Sequence, residues 1–404
     1  MVVTVIGLGY VGLTLSVGIA AAGHKVIGLD SNSLLVDQLR GGNTHVPGIS
    51  QSQLISLINQ DKFTPTINPN LVSKSEVVII AVPTPLDNHR KPDLSYLQTA
   101  IESVANKIQD GALIVNESTS YPGTLRNFIK PLFEKYSSYV LNYASAPERV
   151  DPGNNEWNLE NTPRVIAGLS ENATKSAVKF YSTFCKNIQT VPSPEVAEAA
   201  KLFENTFRQI NIALVNEFSN IASTLGFLAS DAIKAAATKP FGFMPFFPSI
   251  GVGGHCIPVD PSYLSYIAEK AGIKANFINL ANQTNLSMAK NIAFRIKDEL
   301  GGTLIDKYIQ IAGIAYKSGV SDMRESPSLN LIRELKNLGA KTSWFDPLVA
   351  SYNNEHSTPL NPNIDLGLII SPHEQIDFST WISAGTKVFD LSANSNNYGW
   401  PKFL

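Results

Sequence analysis

Cysteine is scarce in this chain, with only Cys185 and Cys256 among 404 residues. Two thiols make no disulfide framework, and they suit a reducing cytosol. Clusters of one charge are lacking too: 32 Lys and Arg face 34 Asp and Glu, for a net charge of −2. That balance points to neither nucleic acid nor an acidic membrane surface, so an anionic ligand must be met by local cations. No apolar run reaches the ~20 residues of a membrane span. The apolar start lacks the basic segment of a signal peptide, so the cytoplasm is the expected location. What remains, 44% hydrophobic and 16% charged residues, describes a soluble globular protein. It is too long for one ordinary core, so two or three domains are expected.

Strands and helices alternate from the start. Val2–Ile6 is a short β-branched run ending in glycines, Val11–Ala22 has helical character, and Lys25–Leu29 is a second strand closed by Asp30. Val77–Val82 and Ala112–Asn116 are further buried-strand candidates, and Val140–Tyr143 a weaker one. Such alternation predicts a parallel, doubly wound sheet, here assigned to residues 1–190. Pro192 and Pro194 punctuate the chain, and Glu195–Leu225 reads as one long helix without Pro or Gly, suited to link domains and carry a subunit interface. An irregular Pro/Gly/Phe-rich stretch, Lys239–Pro261, follows, and long irregular loops are usually functional. Alternation resumes with strands at Ile309–Ile314, Lys341–Phe345, Leu366–Ile370 and Lys387–Leu391, and a helix at Ser328–Leu338. The expected architecture is α/β, with two Rossmann-like doubly wound domains, 1–190 and 301–404, joined by a long central helix in a helical segment, 191–300.

Five motifs carry chemistry. Gly7-Leu8-Gly9-Tyr10-Val11-Gly12 follows a strand and opens a helix, where glycines admit a pyrophosphate to unpaired N–H groups at a positive dipole end. Asp30, at the end of the second strand, can accept both ribose hydroxyls and repels a 2′-phosphate, so NAD is expected rather than NADP. The competing reading is a glycine turn in a nucleotide-free domain, which the strand, helix and acid together disfavour. Val82-Pro83-Thr84-Pro85 sits at a strand end that faces the cofactor crevice, although the segment taken alone reads better as a rigid loop exit. Ser118-Thr119 with Pro122-Gly123-Thr124 offers hydroxyls to nicotinamide, substrate or water, or merely helix caps.

The third motif is Gly251-Val252-Gly253-Gly254-His255-Cys256-Ile257-Pro258-Val259-Asp260-Pro261. Its glycines let backbone approach a ligand, and a cysteine in so polar a setting reads as a reactive thiol. A buried apolar cysteine is the commoner fate, and it is assigned to Cys185, beside Phe180–Phe184. Fourth, Lys201 and Asn205 lie i, i+4 on the long helix, where a desolvated lysine can stabilise an oxyanion; an ordinary snorkelling lysine is the alternative. Fifth, Gly313-Ile314-Ala315-Tyr316-Lys317 with Asp322-Met323-Arg324-Glu325-Ser326-Pro327 places cations past a strand end, fit for phosphate or simply solvated.

In this order, the motifs resemble the UDP-sugar 6-dehydrogenase family, across nearly the whole chain. The resemblance implies an NAD-binding Rossmann domain, a central helix at a homodimer interface and a Rossmann-like domain that holds UDP, in an enzyme of nucleotide-sugar and polysaccharide biosynthesis. It implies Cys256 as nucleophile with Asp260 beside it, Lys201, Asn205, Thr119 and Glu148 as catalytic partners, and Lys317 as a nucleotide contact. Arg324 is implied to reach NAD, usually from the neighbouring subunit. Gly7, Gly9, Tyr10, Val11, Gly12, Asp30, Thr84 and Thr119 would hold NAD, and no metal is implied. Glu148, Arg149, Val150, Lys201, Asn205, Arg208, Gly253, Gly254 and Lys317 would hold the sugar nucleotide.

Val259 before Asp260, where the glucose branch usually has lysine, and Pro152, where it has a second glutamate, resemble the N-acetylhexosamine branch. One departure stands out: Asp390-Leu391-Ser392-Ala393-Asn394 lacks the arginine that related chains often carry for the diphosphate, with Lys402 a possible substitute. The implied reaction is a four-electron oxidation of the C6 alcohol of a UDP-N-acetylhexosamine to the uronate, through a Cys256 thiohemiacetal and thioester. UDP-glucose is the alternative substrate. A thiol hydrolase would not need the Gly7–Gly12 and Asp30 constellation, and adjacent His255 and Cys256 make a poor nucleophile–base dyad. A non-catalytic nucleotide-sugar sensor would have no use for Lys201, Asn205 and Cys256 together.

Overall fold

The computed structural model describes residues 1–149, 156–254, 256–392 and 400–404. Two compact units emerge: residues 1–204 with 262–272, and residues 205–261 with 273–404. The stretch 191–300 is divided between them.

The first unit opens with β1 (Val2–Ile6), α1 (Tyr10–Ala21) and β2 (Lys25–Leu29), where the apolar pattern predicts them, and goes on to α2 (Ser33–Arg40), α3 (Gln51–Asn59) and β3 (Phe63–Thr66). It continues through β4 (Val77–Ile80), α4 (Ser95–Val104), β5 (Leu113–Asn116), α5 (Lys130–Tyr136), β6 (Asn142–Ser145), β7 (Arg164–Gly168), α6 (Glu171–Tyr181) and β8 (Ile188–Thr190). The eight strands form one sheet in the order β3-β2-β1-β4-β5-β6-β7-β8. All neighbours are parallel except β6 and β7, and the chain reverses direction across the sheet at β1 and β4. One face is covered by α1 and α6 through Leu15, Ile19, Phe180 and Tyr181, and the other by α4 and α5 through Leu97, Ile101 and Phe133. Burial on both faces explains the unbroken apolar runs of β4 and β5.

Several boundaries differ from expectation for local reasons. β4 stops at Ile80, because the Val82 N–H turns to the Ser118 hydroxyl and Pro83 has none to give. The weaker strand begins at Asn142, not Val140, because Val140 spends its N–H on Asp110 and its carbonyl on Gly111. β3 was not expected, since Pro65 interrupts it; it survives because it is an edge strand.

The helix α7 (Pro194–Leu225) runs on from β8, followed by α8 (Ala229–Ala236), a long irregular segment and α9 (Asp260–Lys270). The second unit then has α10 (Asn276–Glu299), β9 (Tyr308–Ala312), α11 (Pro327–Asn337), β10 (Lys341–Phe345), the small hairpin β11 (Ser351–Tyr352) and β12 (Glu355–His356), β13 (Leu366–Ile369), α12 (Ser379–Ala384) and β14 (Val388–Asp390). Its parallel sheet is ordered β10-β9-β13-β14, with α10 and α11 on one face and the Trp381 cluster on the other. β9 ends two residues before Ile314 because Gly313 takes a left-handed φ of 84°. Among the described residues no single helix is long and apolar enough to cross a membrane.

Candidate active site

In the first unit the glycine turn has a distinct job for each glycine. Gly7 takes φ 91°, and a Cβ there would meet the Ala81 carbonyl oxygen at 2.6 Å. A Cβ on Gly12 would stand 1.7 Å from the Gly7 carbonyl oxygen, so this glycine lets α1 leave the turn. A Cβ on Gly9 would meet nothing within 4 Å. Gly9, N-cap of α1, is thus the exposed point of the turn, beside the first N–H groups of the helix. Tyr10 and Val11 follow it, half-buried.

Asp30 stands one residue past β2, half-buried. One carboxylate oxygen accepts the Leu8 N–H at 2.7 Å and the other the Asn32 N–H at 2.8 Å. Those bonds fix the carboxylate and leave lone pairs on both oxygens for the two hydroxyls of a ribose. Open space at Gly9, helix N–H groups and an oriented acid fit a dinucleotide, with Asp30 on its adenosine ribose.

At the β4 and β5 ends, the Ser118 hydroxyl accepts from the Val82 N–H at 3.0 Å and donates to the Val82 carbonyl at 2.9 Å. Of the two readings of this segment, Ser118 is absorbed into structure. Thr119 is buried, and no hydrogen bond of its hydroxyl is found among the described residues. Thr84 is buried, and its carbonyl accepts from the Tyr263 hydroxyl at 3.0 Å. Glu148 is buried as well. Arg149 is held by a two-pronged ion pair to Glu204, at 2.6 and 3.2 Å, and by the Pro163 carbonyl. Val150 lies outside the described residues.

A buried network beneath these ends escaped the sequence reading. Arg164 on β7 donates to Glu117 at 2.5 Å and to the Ala146 carbonyl, while the Tyr181 hydroxyl donates to the other Glu117 oxygen. Burial pushes the Glu117 carboxyl up, while Glu117 holds Arg164 protonated against the same burial. The only signal was a cation heading the apolar run Arg164–Gly168. Cys185 packs into this core, as expected, with its thiol pushed up by burial.

Lys201 on α7 is buried, which sets it apart from an ordinary snorkelling lysine. One turn earlier Glu198, also missed, accepts the Gly123 N–H at 2.7 Å and the Leu125 N–H at 2.9 Å. Burial pushes its carboxyl up to about 7, against the pull of those two N–H groups.

In the second unit Cys256 is exposed. Its carbonyl accepts from the Asp260 N–H at 2.8 Å, which turns the chain into α9. Asp260 is fully buried, and accepts from the Asn205 side chain at 2.6 Å. Its Oδ2 thereby fixes the Asn205 amide. The loop glycines are closely packed within their own unit. Cβ atoms on Gly253 and Gly254 would fall 2.9 and 2.8 Å from Tyr316, so these glycines admit Tyr316 of the same unit. The Gly254 N–H donates to the Arg324 carbonyl at 3.0 Å. The Arg324 guanidinium grips Asp322 at 2.6 and 3.0 Å, a bond that holds it firmly protonated. Arg208 is exposed, and His255 lies outside the described residues.

Lys317 is half-buried in the loop after β9. Lys402, the possible substitute for the missing arginine, pairs with Asp390 at 2.7 Å and donates to the Ser392 carbonyl at 2.9 Å. Its charge is largely spent within the fold. Ala393 and Asn394 of that stretch lie outside the described residues.

A parallel sheet with a glycine turn and an aspartate just past its second strand is a dinucleotide-binding construction, and comparison with known proteins agrees. Profiles of the UDP-glucose/GDP-mannose dehydrogenase family match in order: its NAD binding domain at residues 1–185, its central domain at 195–287 and its UDP binding domain at 310–390. The chain belongs to this family and is an NAD-dependent UDP-sugar dehydrogenase. It is 34% identical over 397 residues to a UDP-N-acetyl-D-mannosamine dehydrogenase of Pyrococcus horikoshii, covering 95% of this chain and 92% of that one. It is 32% identical over 368 residues to a UDP-N-acetyl-D-glucosamine 6-dehydrogenase of Pseudomonas aeruginosa, covering 89% and 86%. The solved structure of the UDP-D-ManNAc dehydrogenase from P. horikoshii superposes with a TM-score of 0.88 at 32% identity, covering 99% of this chain and 98% of that one.

Proposed function

We propose that this enzyme oxidises the C6 alcohol of a UDP-N-acetylhexosamine to the uronate, with Cys256 as covalent nucleophile. The observation that carries the reading is the accessible Cys256 thiol at the turn into α9, with Asp260 four residues on fixing Asn205. NAD, when bound, supplies the hydride acceptor for each of two oxidations. The base for the hydroxyl proton in the first is Lys201, or a water that Thr119, Glu148 and Asp260 would hold. The Cys256 sulfur then adds to the C6 carbon, and the adduct is a thiohemiacetal that cannot escape as free aldehyde. Loss of a second hydride from that carbon leaves a thioester, and water cleaves it to the carboxylate and returns the thiol. Each sugar therefore loses four electrons. Lys201 and Asn205 steady the oxyanion; one such donor is worth roughly 3–4 kcal/mol. Lys317 and Arg149 serve the sugar nucleotide.

The N-acetyl preference is supported by Val259 and Pro152 in the sequence and by the relatives named above, whose substrates carry N-acetyl groups. A homodimer is supported by exposed apolar side chains at Phe207, Leu214, Ile221 and Leu225, which form a stripe along α7. The test is substitution at the thiol. Cys256→Ala should abolish uronate formation, and Cys256→Ser should accumulate a covalent sugar adduct visible by intact mass, or turn over slowly. Full four-electron turnover by the alanine variant contradicts the scheme.

A further inference from the structure

The two nucleotide-binding units repeat one local construction, and they part at a single carboxylate. In the first, the Gly7 N–H donates to the Leu29 carbonyl at 2.8 Å, and in the second, the Gly313 N–H donates to the Phe345 carbonyl at 2.8 Å. Both glycines have positive φ. Asp30 stands one residue past β2 and accepts the Leu8 N–H; Asp346 stands one residue past β10 and accepts the Ile314 N–H at 2.9 Å. Their other oxygens accept the Asn32 and Leu348 N–H groups at 2.8 and 2.9 Å. Asp346 is therefore the second unit's counterpart of the ribose-reading Asp30.

One of its oxygens is already crowded with partners. Asp346 Oδ2 also accepts the Ala315 N–H at 3.1 Å and lies 3.1 Å from His373 Nε2. His373 is four residues past the end of β13, the place that Thr84 occupies past β4. Both side chains of the pair are fully buried. The far side of the ring settles its tautomer. Gly319 N–H can only donate, and it lies 3.0 Å from His373 Nδ1, so Nδ1 accepts and Nε2 carries the proton given to Asp346. Burial pushes the Asp346 carboxyl up, but the His373 bond and the backbone N–H groups outweigh it and hold the carboxyl below its usual range.

The pair thus grips one loop at both ends, at Ile314 and Ala315 through Asp346 and at Gly319 through His373. Lys317 lies between those grips. We propose that Asp346 and His373 are positioning residues that hold the 314–319 loop, and with it Lys317, for the diphosphate of the sugar nucleotide. The acid that reads a ribose in the first unit is used in the second to brace a phosphate loop. This rests on the reading of Lys317 as a nucleotide contact.

The experiment measures UDP binding to the full chain by calorimetry, with NAD binding and thermal melting as controls. His373→Phe fills the ring's volume without its polar atoms, and His373→Gln can still donate to Asp346 and accept from Gly319. The phenylalanine variant should bind UDP at least tenfold more weakly with NAD affinity unchanged, and raise KM for the UDP-sugar more than it lowers kcat. The glutamine variant should recover most of the loss. A folded His373→Phe protein with UDP affinity within twofold of wild type overturns the proposal. If that variant does not fold, hydrogen exchange on the unaltered protein decides: a Gly319 amide that exchanges as fast as an unprotected one is incompatible with the grip. Absence of UDP binding by the wild-type protein would instead refute the proposed function itself.

Discussion

Gly9 and Gly12 are three residues apart and identical in type, yet one alanine substitution should spare the fold and the other should not. A Cβ at Gly9 points into open space, whereas at Gly12 it would sit 1.7 Å from a backbone oxygen. Gly9→Ala should melt within a degree or two of wild type, while NAD binding weakens about 10- to 100-fold, the equivalent of one or two charge-assisted hydrogen bonds. Gly12→Ala should lower the melting temperature sharply or yield insoluble protein. Calorimetry and NAD titration of both variants check this, and loss of folding in Gly9→Ala would contradict the assignment. The glycines before Cys256 are confined by side chains of their own unit. Cβ atoms on Gly253 and Gly254 would both crowd Tyr316, and one on Gly253 would also meet Pro327, which no inspection of the glycine spacing alone could reveal.

Among the elements, α7 carries a buried titration. Glu198 has an ordinary carboxyl value of 4.5, raised in the fold to about 7 by burial. The folded protein therefore holds this proton more tightly than the unfolded chain. Folding stability carries no penalty from Glu198 below about 4.5, loses ground as pH rises between about 4.5 and 7, and bears the whole cost above that. The full cost is roughly 3 kcal/mol at about 1.4 kcal/mol per unit. Melting temperature followed from pH 5 to pH 8 should fall more steeply for the wild type than for Glu198→Gln. Parallel profiles would show that Glu198 does not titrate in that interval.

The strand cores were legible because both faces of β4 and β5 are buried, which leaves continuous apolar runs, and α7 because it lacks Pro and Gly over its length after Pro194. Strand ends were less legible, since side chains from elsewhere set them: Ser118 ends β4 and Asp110 delays β6. The cofactor turn could be read because its chemistry is contiguous. The Glu117–Arg164–Tyr181 network and the Asp346–His373 pair could not, since their members are separated by 17 to 64 residues and only folding brings them together. One cue was available in retrospect: Phe345-Asp346 repeats Leu29-Asp30, an acid directly after a strand.

At the scale of the molecule, an NAD-binding sheet and a UDP-binding sheet in one chain imply a reaction between two nucleotides, and the proposed Cys256 adduct would carry it past the aldehyde. Substrate identity rests on Val259 and the N-acetylated relatives; the stereochemistry at C2 and C4 of the sugar is read by no motif in the sequence. The most direct measurement is therefore the NADH formed, by absorbance at 340 nm, when limiting UDP-GlcNAc, UDP-ManNAc, UDP-GalNAc and UDP-glucose are each taken to completion. At least one N-acetylated sugar should yield two NADH per molecule, with UDP-glucose much slower. A yield of one NADH per sugar would remove the covalent second oxidation, and preference for UDP-glucose or no NADH from any of the four would contradict the account.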